Sequence, residues 1–221
     1  IKFIHNYFAP GGNTSQLEPP PSTLTHAGLF LTRQSQKAGD LEQAMAHILP
    51  LVESSDRIAL DAYANLLYQQ EDYQGAVSLW KDLGKTLTLE KAASDLQGKK
   101  LGEPLIIAYQ SLYEIDPEKY VAALTFTLKS QGKNEEAIAL LEEALQRFPS
   151  SSYRVIWHRY LGDIYYLQGK FDQAETAFRN ALLVDPQDGK TWRNLKIMYD
   201  SGKIQNGQQL LNFYLEYVKT K

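Results

Sequence analysis

The chain has 221 residues, of which 43% are hydrophobic and 22% are charged, as is ordinary for a folded protein. Its 23 basic and 26 acidic residues leave a net charge of −3, which argues against nucleic acid or anionic lipid as a partner. It contains no cysteine, which excludes disulfides, thiolate nucleophiles and zinc–cysteine sites but fits a cytoplasmic and an exported protein equally well. No run of about 18 apolar residues occurs, so no membrane span is predicted.

Residues 1–23 are predicted to be an extended leader or linker. The stretch PGGNTSQLEPPPST is rich in Pro, Gly and small polar residues, and three consecutive prolines cannot continue a helix. The chain begins at Ile1 rather than Met, so we expect a processed or excised piece. A signal peptide, an anchor helix and an upstream domain are the alternatives for what preceded it.

Residues 24–221 are predicted to be helical. From about Thr25 onward, apolar residues recur three and four positions apart, with short breaks that carry Gly, Asp or Pro. No segment shows sustained alternation with a period of two, which would indicate strands. The predicted fold class is therefore all-α.

The helical part repeats. Five copies are visible: four share a small residue, a bulky residue four positions later and another packing residue three positions beyond that, and the fifth repeats the pattern of a first helix. In chain order, the copies contribute Ala44, Ile48 and Leu51, then Ala76, Trp80 and Leu83, then Ala137, Leu141 and Ala144, then Ala174, Phe178 and Ala181, and finally Trp192, Leu195 and Tyr199 followed by a second helix with Gly207. A sixth, degenerate copy in residues 86–117 has Leu105 where the others have Ala or Gly. We expect distorted packing there, or a kink that divides the repeats into two subdomains.

Each copy is interpreted as two antiparallel helices that bury their apolar faces only when neighbouring copies stack. Small residues such as Gly162 allow close helix contact, and bulky residues fill the gaps beside them. Gly39, Gly132 and Gly169 lie at the turns between paired helices and are expected to adopt left-handed backbone conformations. Asp40, three residues before Gln43, is predicted to cap a second helix.

The most complete copy resembles the tetratricopeptide repeat, a helix-turn-helix unit of 34 residues. The matching residues are Leu161, Gly162, Tyr165, Ala174, Phe178, Ala181 and Pro186. The copy departs from the pattern because its Trp is at position 157, and His158 occupies the usual Trp position. The resemblance implies a right-handed superhelical solenoid of about five to six helix pairs. It also implies a concave face, formed by the first helices, that holds a peptide or an extended segment of a partner.

The resemblance places several polar and aromatic side chains on that concave face, where they could stack or form bidentate contacts. The candidate partner-binding residues are Tyr68, Phe126, Arg159, Asp163, Tyr166, Lys190, Arg193 and Asn194. Lys129 and Ile197 fall on the same face. The alternative for each position is a solvated helix surface. Some members of the family hold a C-terminal carboxylate with Lys and Asn on successive repeats, but here that set is incomplete.

No catalytic, cofactor-binding or metal-binding residues are predicted. The four histidines show no metal-ligand spacing, and no phosphate loop or nucleophile elbow is present. The predicted function is a non-enzymatic scaffold that binds a protein or peptide. The alternatives are an accessory domain of a larger enzyme or membrane machine that contacts a substrate such as a glycan, and self-association through helix ends. The leader is expected to tether the repeats or to fold back into the groove.

Overall fold

The computed structural model describes residues 21–204 and residue 212. Within residues 21–204 it contains eleven α-helices and no strand. The helices are α1 (Pro21–Lys37), α2 (Leu41–Val52), α3 (Arg57–Gln69), α4 (Tyr73–Asp82), α5 (Thr86–Gly98), α6 (Gly102–Ile115), α7 (Pro117–Ser130), α8 (Asn134–Arg147), α9 (Arg154–Leu167), α10 (Phe171–Val184) and α11 (Gly189–Asp200). The all-α prediction is confirmed.

Helix α1 begins before the predicted boundary between leader and repeats. Pro21, Ser22 and Thr23 were assigned to the leader, but they form the first turn of α1. Proline is compatible with this position because the first residues of a helix need no backbone N–H and its fixed φ suits a helical start. The rest of the predicted leader, residues 1–20, and the predicted second helix of the last copy lie outside the described part of the chain.

The chain divides into two compact units, the first ending at Ala92 and the second beginning at Ala93. This division lies within α5 and therefore inside the degenerate copy at residues 86–117. In the first unit α1 packs against α2, α2 against α3, and α3 against α4. In the second unit the helices from α6 to α11 each pack against the next in the chain, and α9 also packs against α7. Consecutive antiparallel helices that stack in this way form a helical-repeat fold, as predicted.

Small and large residues alternate in the core of the second unit. Ala137, Leu141 and Trp157 are fully buried in one cluster, and Ala174 and Phe178 are buried in another. The pattern of one small residue followed by one bulky residue therefore corresponds to the packing between helices.

The turns inside the helix pairs carry the predicted left-handed residues. Gly39, Gly132 and Gly169 have φ angles of +79°, +74° and +74°. Glu71, between α3 and α4, and Lys100, between α5 and α6, adopt the same conformation, with φ angles of +66° and +59°. The turn geometry thus persists where the glycine is missing, at a cost that glycine avoids.

Aspartates cap several of the helices. The carboxylate of Asp40 accepts a hydrogen bond of 2.9 Å from the backbone N–H of Gln43, which confirms the predicted cap. Asp56, Asp72 and Asp116 cap α3, α4 and α7 in the same way. Each cap satisfies a backbone donor that the helix itself leaves unpaired.

Substituting Ala for Gly162 tests the closest approach between α9 and α10. A Cβ atom added at Gly162 would lie 2.5 Å from Cε1 of Phe178, so the ring or the helix must move. We expect the free energy of unfolding to fall by about 1–3 kcal/mol, as for other overpacked cores. Urea unfolding followed by circular dichroism measures this change.

The matched control is Gly98→Ala, at the end of α5, where an added Cβ would have no neighbour within 4 Å. There the substitution should leave stability unchanged or raise it by up to about 1 kcal/mol. Equal stability of the two variants would show that the Phe178 ring moves aside without cost.

Candidate functional site

A groove of about 250 Å³ lies on the second unit, along the first helices of successive pairs. We call it the main groove. It is lined by Lys129, Asp163, Tyr166, Leu167, Phe178, Asn194, Ile197 and Met198. Seven of these residues come from α7, α9 and α11, and Phe178 comes from α10.

Most of the main groove is apolar. Its deepest side chains, Phe178 and Met198, are each only 1% exposed, whereas Leu167 is 66% and Ile197 is 49% exposed. The ring of Tyr166 packs edge-on against Phe171, with 5.6 Å between the ring centroids. An apolar groove with exposed aliphatic walls is the kind of surface that partners or ligands cover.

One wall of the main groove is polar. The Asn194 side-chain amide donates a hydrogen bond of 2.8 Å to Oδ1 of Asp163. Nζ of Lys129 lies 3.9 Å from Oδ2 of the same carboxylate, at the outer limit of an ion pair. Burial raises the pKa of Asp163, and the opposing charges of Lys129 and Arg159 do not cancel this effect. Within the described residues, the carboxylate accepts one hydrogen bond, and its nearest ammonium group is 3.9 Å away.

A second hollow of about 350 Å³ is lined by residues of α5, α6, α7 and α9. We call it the Phe126 hollow, because Phe126 is its most exposed large hydrophobic side chain, at 49%. Tyr109 and Tyr160 also line it. Nζ of Lys129, which lines the main groove, lies 5.9 Å from the centroid of the Tyr160 ring, which lines the Phe126 hollow.

Four of the eight candidate residues line these two surfaces. Asp163, Tyr166 and Asn194 lie in the main groove, and Phe126 lies in the hollow named after it. Lys190 and Arg193 are exposed on α11 but do not line the main groove.

Arg159 forms an ion pair with Asp188 of the same chain. Its Nη1 donates to Oδ2 of Asp188 at 2.7 Å, and the two side chains are only 11% and 15% exposed. Asp188 also caps α11 by accepting hydrogen bonds from the backbone N–H and the hydroxyl of Thr191. Burial alone would raise the pKa of Asp188, but the hydrogen bonds from Thr191 and Arg159 and the charge of Arg159 lower it below its usual value. Arg159 therefore joins α9 to the start of α11.

Tyr68 lies in the first unit and packs against other aromatic rings. Its ring centroid is 4.9 Å from that of Tyr73 and 5.4 Å from that of Trp80. Its hydroxyl group donates to the carbonyl of Ala92 at 3.4 Å. These contacts give Tyr68 a packing role within its unit.

The sequence reasoning missed three residues of the main groove. Leu167 directly follows Tyr166 at the end of α9, and its apolar character was the available signal. Met198 directly follows Ile197 on α11, and its apolar character was again the available signal. Phe178 is predicted from the sequence to be a packing residue alone, but its ring also lines the groove.

The sequence model of the tetratricopeptide repeat family matches residues 128–196. This segment is therefore a tetratricopeptide-repeat region, a class of helical repeats that are generally non-enzymatic scaffolds for protein–protein interaction. A search of curated proteins gave no match. Within the described residues, no helix is both long and apolar enough to cross a bilayer, and no group of three or more His, Asp or Glu side chains is arranged to hold a metal ion.

The chain is similar to several solved tetratricopeptide-repeat structures. A protein from Parabacteroides merdae is 15% identical with a TM-score of 0.46, and the match covers 90% of this chain and 80% of that one. YrrB, described as having an unusual peptide-binding site, is 14% identical with a TM-score of 0.45, covering 78% and 92%. A thermophilic protein from Thermus thermophilus is 18% identical with a TM-score of 0.43, covering 81% and 99%. At these identities and TM-scores, the similarities do not assign a site or a partner.

Replacing Arg159 with Met tests its structural role. The variant removes a nearly buried hydrogen-bonding partner of Asp188, so the free energy of unfolding should fall by about 1–3 kcal/mol near neutral pH. Because the pKa of Asp188 is lowered by folding, this stabilisation is present above the carboxyl's unfolded pKa and is lost as the pH falls through its folded pKa. The difference between wild type and variant should therefore shrink in acid.

Arg193→Met is the control, because Arg193 is exposed and makes no ion pair within the described residues. Urea titrations at several pH values should show a change of less than about 0.5 kcal/mol for this variant. A comparable loss in both variants would contradict the assigned role of Arg159.

His158 makes the stability pH-dependent. It lies half-buried in a hollow between α9 and α10, and burial together with the nearby charge of Arg154 lowers its pKa to about 4. Below the ordinary pKa of about 6.5, the unfolded chain takes up a proton that the folded chain does not, so stability falls as the pH drops from about 6.5 to 4. His158→Gln should flatten this part of the curve of unfolding free energy against pH. An unchanged slope in the variant would assign the dependence to other groups.

Proposed function

We propose that the second unit binds an extended segment of a protein partner in the main groove, as a non-enzymatic interaction scaffold. The observation that supports this most is the exposure of Leu167 and Ile197 on either side of a groove whose floor is already apolar. Two large aliphatic side chains next to one apolar hollow present surface that a partner would remove from water.

The arrangement favours an extended segment over a compact surface. The main groove lies along α7, α9 and α11, and neighbouring packed helices lie about 8–10 Å apart. Three helices therefore span about 20 Å, which an extended chain of about six residues covers at about 3.4 Å per residue. Lys129 lines the main groove and lies 5.9 Å from the ring of Tyr160, which lines the Phe126 hollow, so the two surfaces adjoin at Lys129.

The expected affinity is low. Burying an aliphatic side chain such as Leu167 or Ile197 against an apolar side chain of the partner contributes about 1.5–3 kcal/mol at most. Ordering the bound segment offsets part of this gain. Two such side chains contribute at most about 6 kcal/mol, so we expect dissociation constants weaker than micromolar, on the order of 0.1 mM, for short peptides.

Leu167→Ser tests this proposal on an array of random ten-residue peptides probed with the labelled full chain. The substitution removes an exposed aliphatic wall of the groove, so the affinity for bound peptides should fall about tenfold. Leu183→Ser is the matched control, because Leu183 on α10 is 69% exposed and does not line the groove. Circular dichroism should show equal helicity for both variants.

A set of peptides bound by wild type and by Leu183→Ser, but weakly by Leu167→Ser, would support the proposal. Binding that Leu167→Ser leaves unchanged would place the partner site on another part of the chain.

A further inference from the structure

We propose that the segment bound in the main groove presents a lysine or arginine side chain whose charged end contacts the carboxylate of Asp163. This inference rests on the proposed function and specifies the chemistry of the partner. It depends on the hydrogen bonds of Asp163, on the walls around it and on the position of Lys129.

Asp163 has acceptor capacity that the chain does not use fully. An ionised carboxylate offers about four acceptor positions on its two oxygens. Oδ1 accepts one hydrogen bond, from Asn194, and Lys129 lies 3.9 Å from Oδ2, too far for a hydrogen bond. The side chain keeps 27% of its surface exposed, so an incoming donor can reach it.

The walls around Asp163 fit the stem of a long basic side chain. Tyr166, Leu167, Ile197 and Met198 line the same groove with apolar surface. Lysine and arginine carry methylene stems that pack on such surface while their charged ends reach a polar partner. An aliphatic side chain would fill the walls but would leave the carboxylate uncompensated.

The ammonium group of Lys129 can be displaced from Asp163 by a cation of the partner. Its Nζ also lies near the face of the Tyr160 ring, 5.9 Å from the centroid, and this ring gives the displaced ammonium group an alternative contact. Arg159, the other cation that acts on Asp163, is held by Asp188 at 2.7 Å. A cation from the partner would therefore meet a carboxylate that no close intramolecular ion pair occupies.

An acidic side chain is the less favourable occupant. In the main groove it would have to approach Lys129 beside the negative charge of Asp163, and like charges brought together in a partly buried site repel. The Asn194 amide already donates to Asp163. The raised pKa of Asp163, caused mainly by burial, also indicates that a further positive charge would stabilise its ionised form.

The test compares the residues enriched among array peptides that depend on Leu167. Wild type should select lysine or arginine at one position, and Asp163→Asn should lose that preference. For a selected peptide, replacing the basic residue with the uncharged norleucine should weaken binding to wild type about tenfold or more and should leave binding to Asp163→Asn unchanged. The control is Asp200→Asn, which removes an exposed ion-paired carboxylate outside the groove and should keep the preference.

Lys129→Met should change the binding affinity in opposite directions for a basic and for an acidic residue of the partner. The variant keeps an apolar stem but removes the cation that competes for Asp163, so peptides with a basic residue should bind several-fold more tightly. If Lys129 itself held an acidic residue of the partner, the same variant would bind more weakly.

The failures of the two proposals are distinguishable. Groove-dependent peptides without a basic preference, with an acidic preference, or with a basic preference that survives in Asp163→Asn would overturn this inference while leaving the groove as the binding site. If no peptide depends on Leu167, both the proposed function and the inference drawn from it fail.

Discussion

The second unit depends on the close contact between Gly162 and the ring of Phe178. With no side chain at Gly162, α9 and α10 approach until the Phe178 ring fills the gap. The ring then serves two surfaces, since it belongs to the core with Leu182 and Leu195 and also lines the main groove. The same ring therefore contributes to the packing of this helix pair and to the lining of the groove.

Two aspartates near α11 differ in how far hydrogen bonds and ion pairs within the chain compensate their charge. Asp188 is held by Arg159 and Thr191, and its charge is used to fix the start of α11. Asp163 has one hydrogen bond, from Asn194, and a distant ammonium group, so its charge remains poorly compensated in the groove. The first arrangement stabilises the chain, whereas the second is the one that we propose a cation of the partner completes.

The sequence predicted the helices well because their signals are local. The turn glycines at 39, 132 and 169, the cap at Asp40 and the spacing of Ala174 and Phe178 each act within one helix pair. Only some of the candidate site residues line the two surfaces of the second unit. Asp163, Tyr166 and Asn194, which the repeat register predicts to share one face of the first helices, line the main groove, because the register fixes which helix face a residue occupies.

The sequence by itself determined the all-α class, the helix pairs and the helix faces, since these follow from hydrophobic spacing, turn residues and caps. Only the tertiary structure decided which polar side chains are engaged within the chain. The structure places Asp188, 29 residues after Arg159, within hydrogen-bond distance of its guanidinium group, and it places the ring of Trp80 against the ring of Tyr68. Contacts of this kind depend on how separate helices meet, and the spacing within one helix carries no information about them.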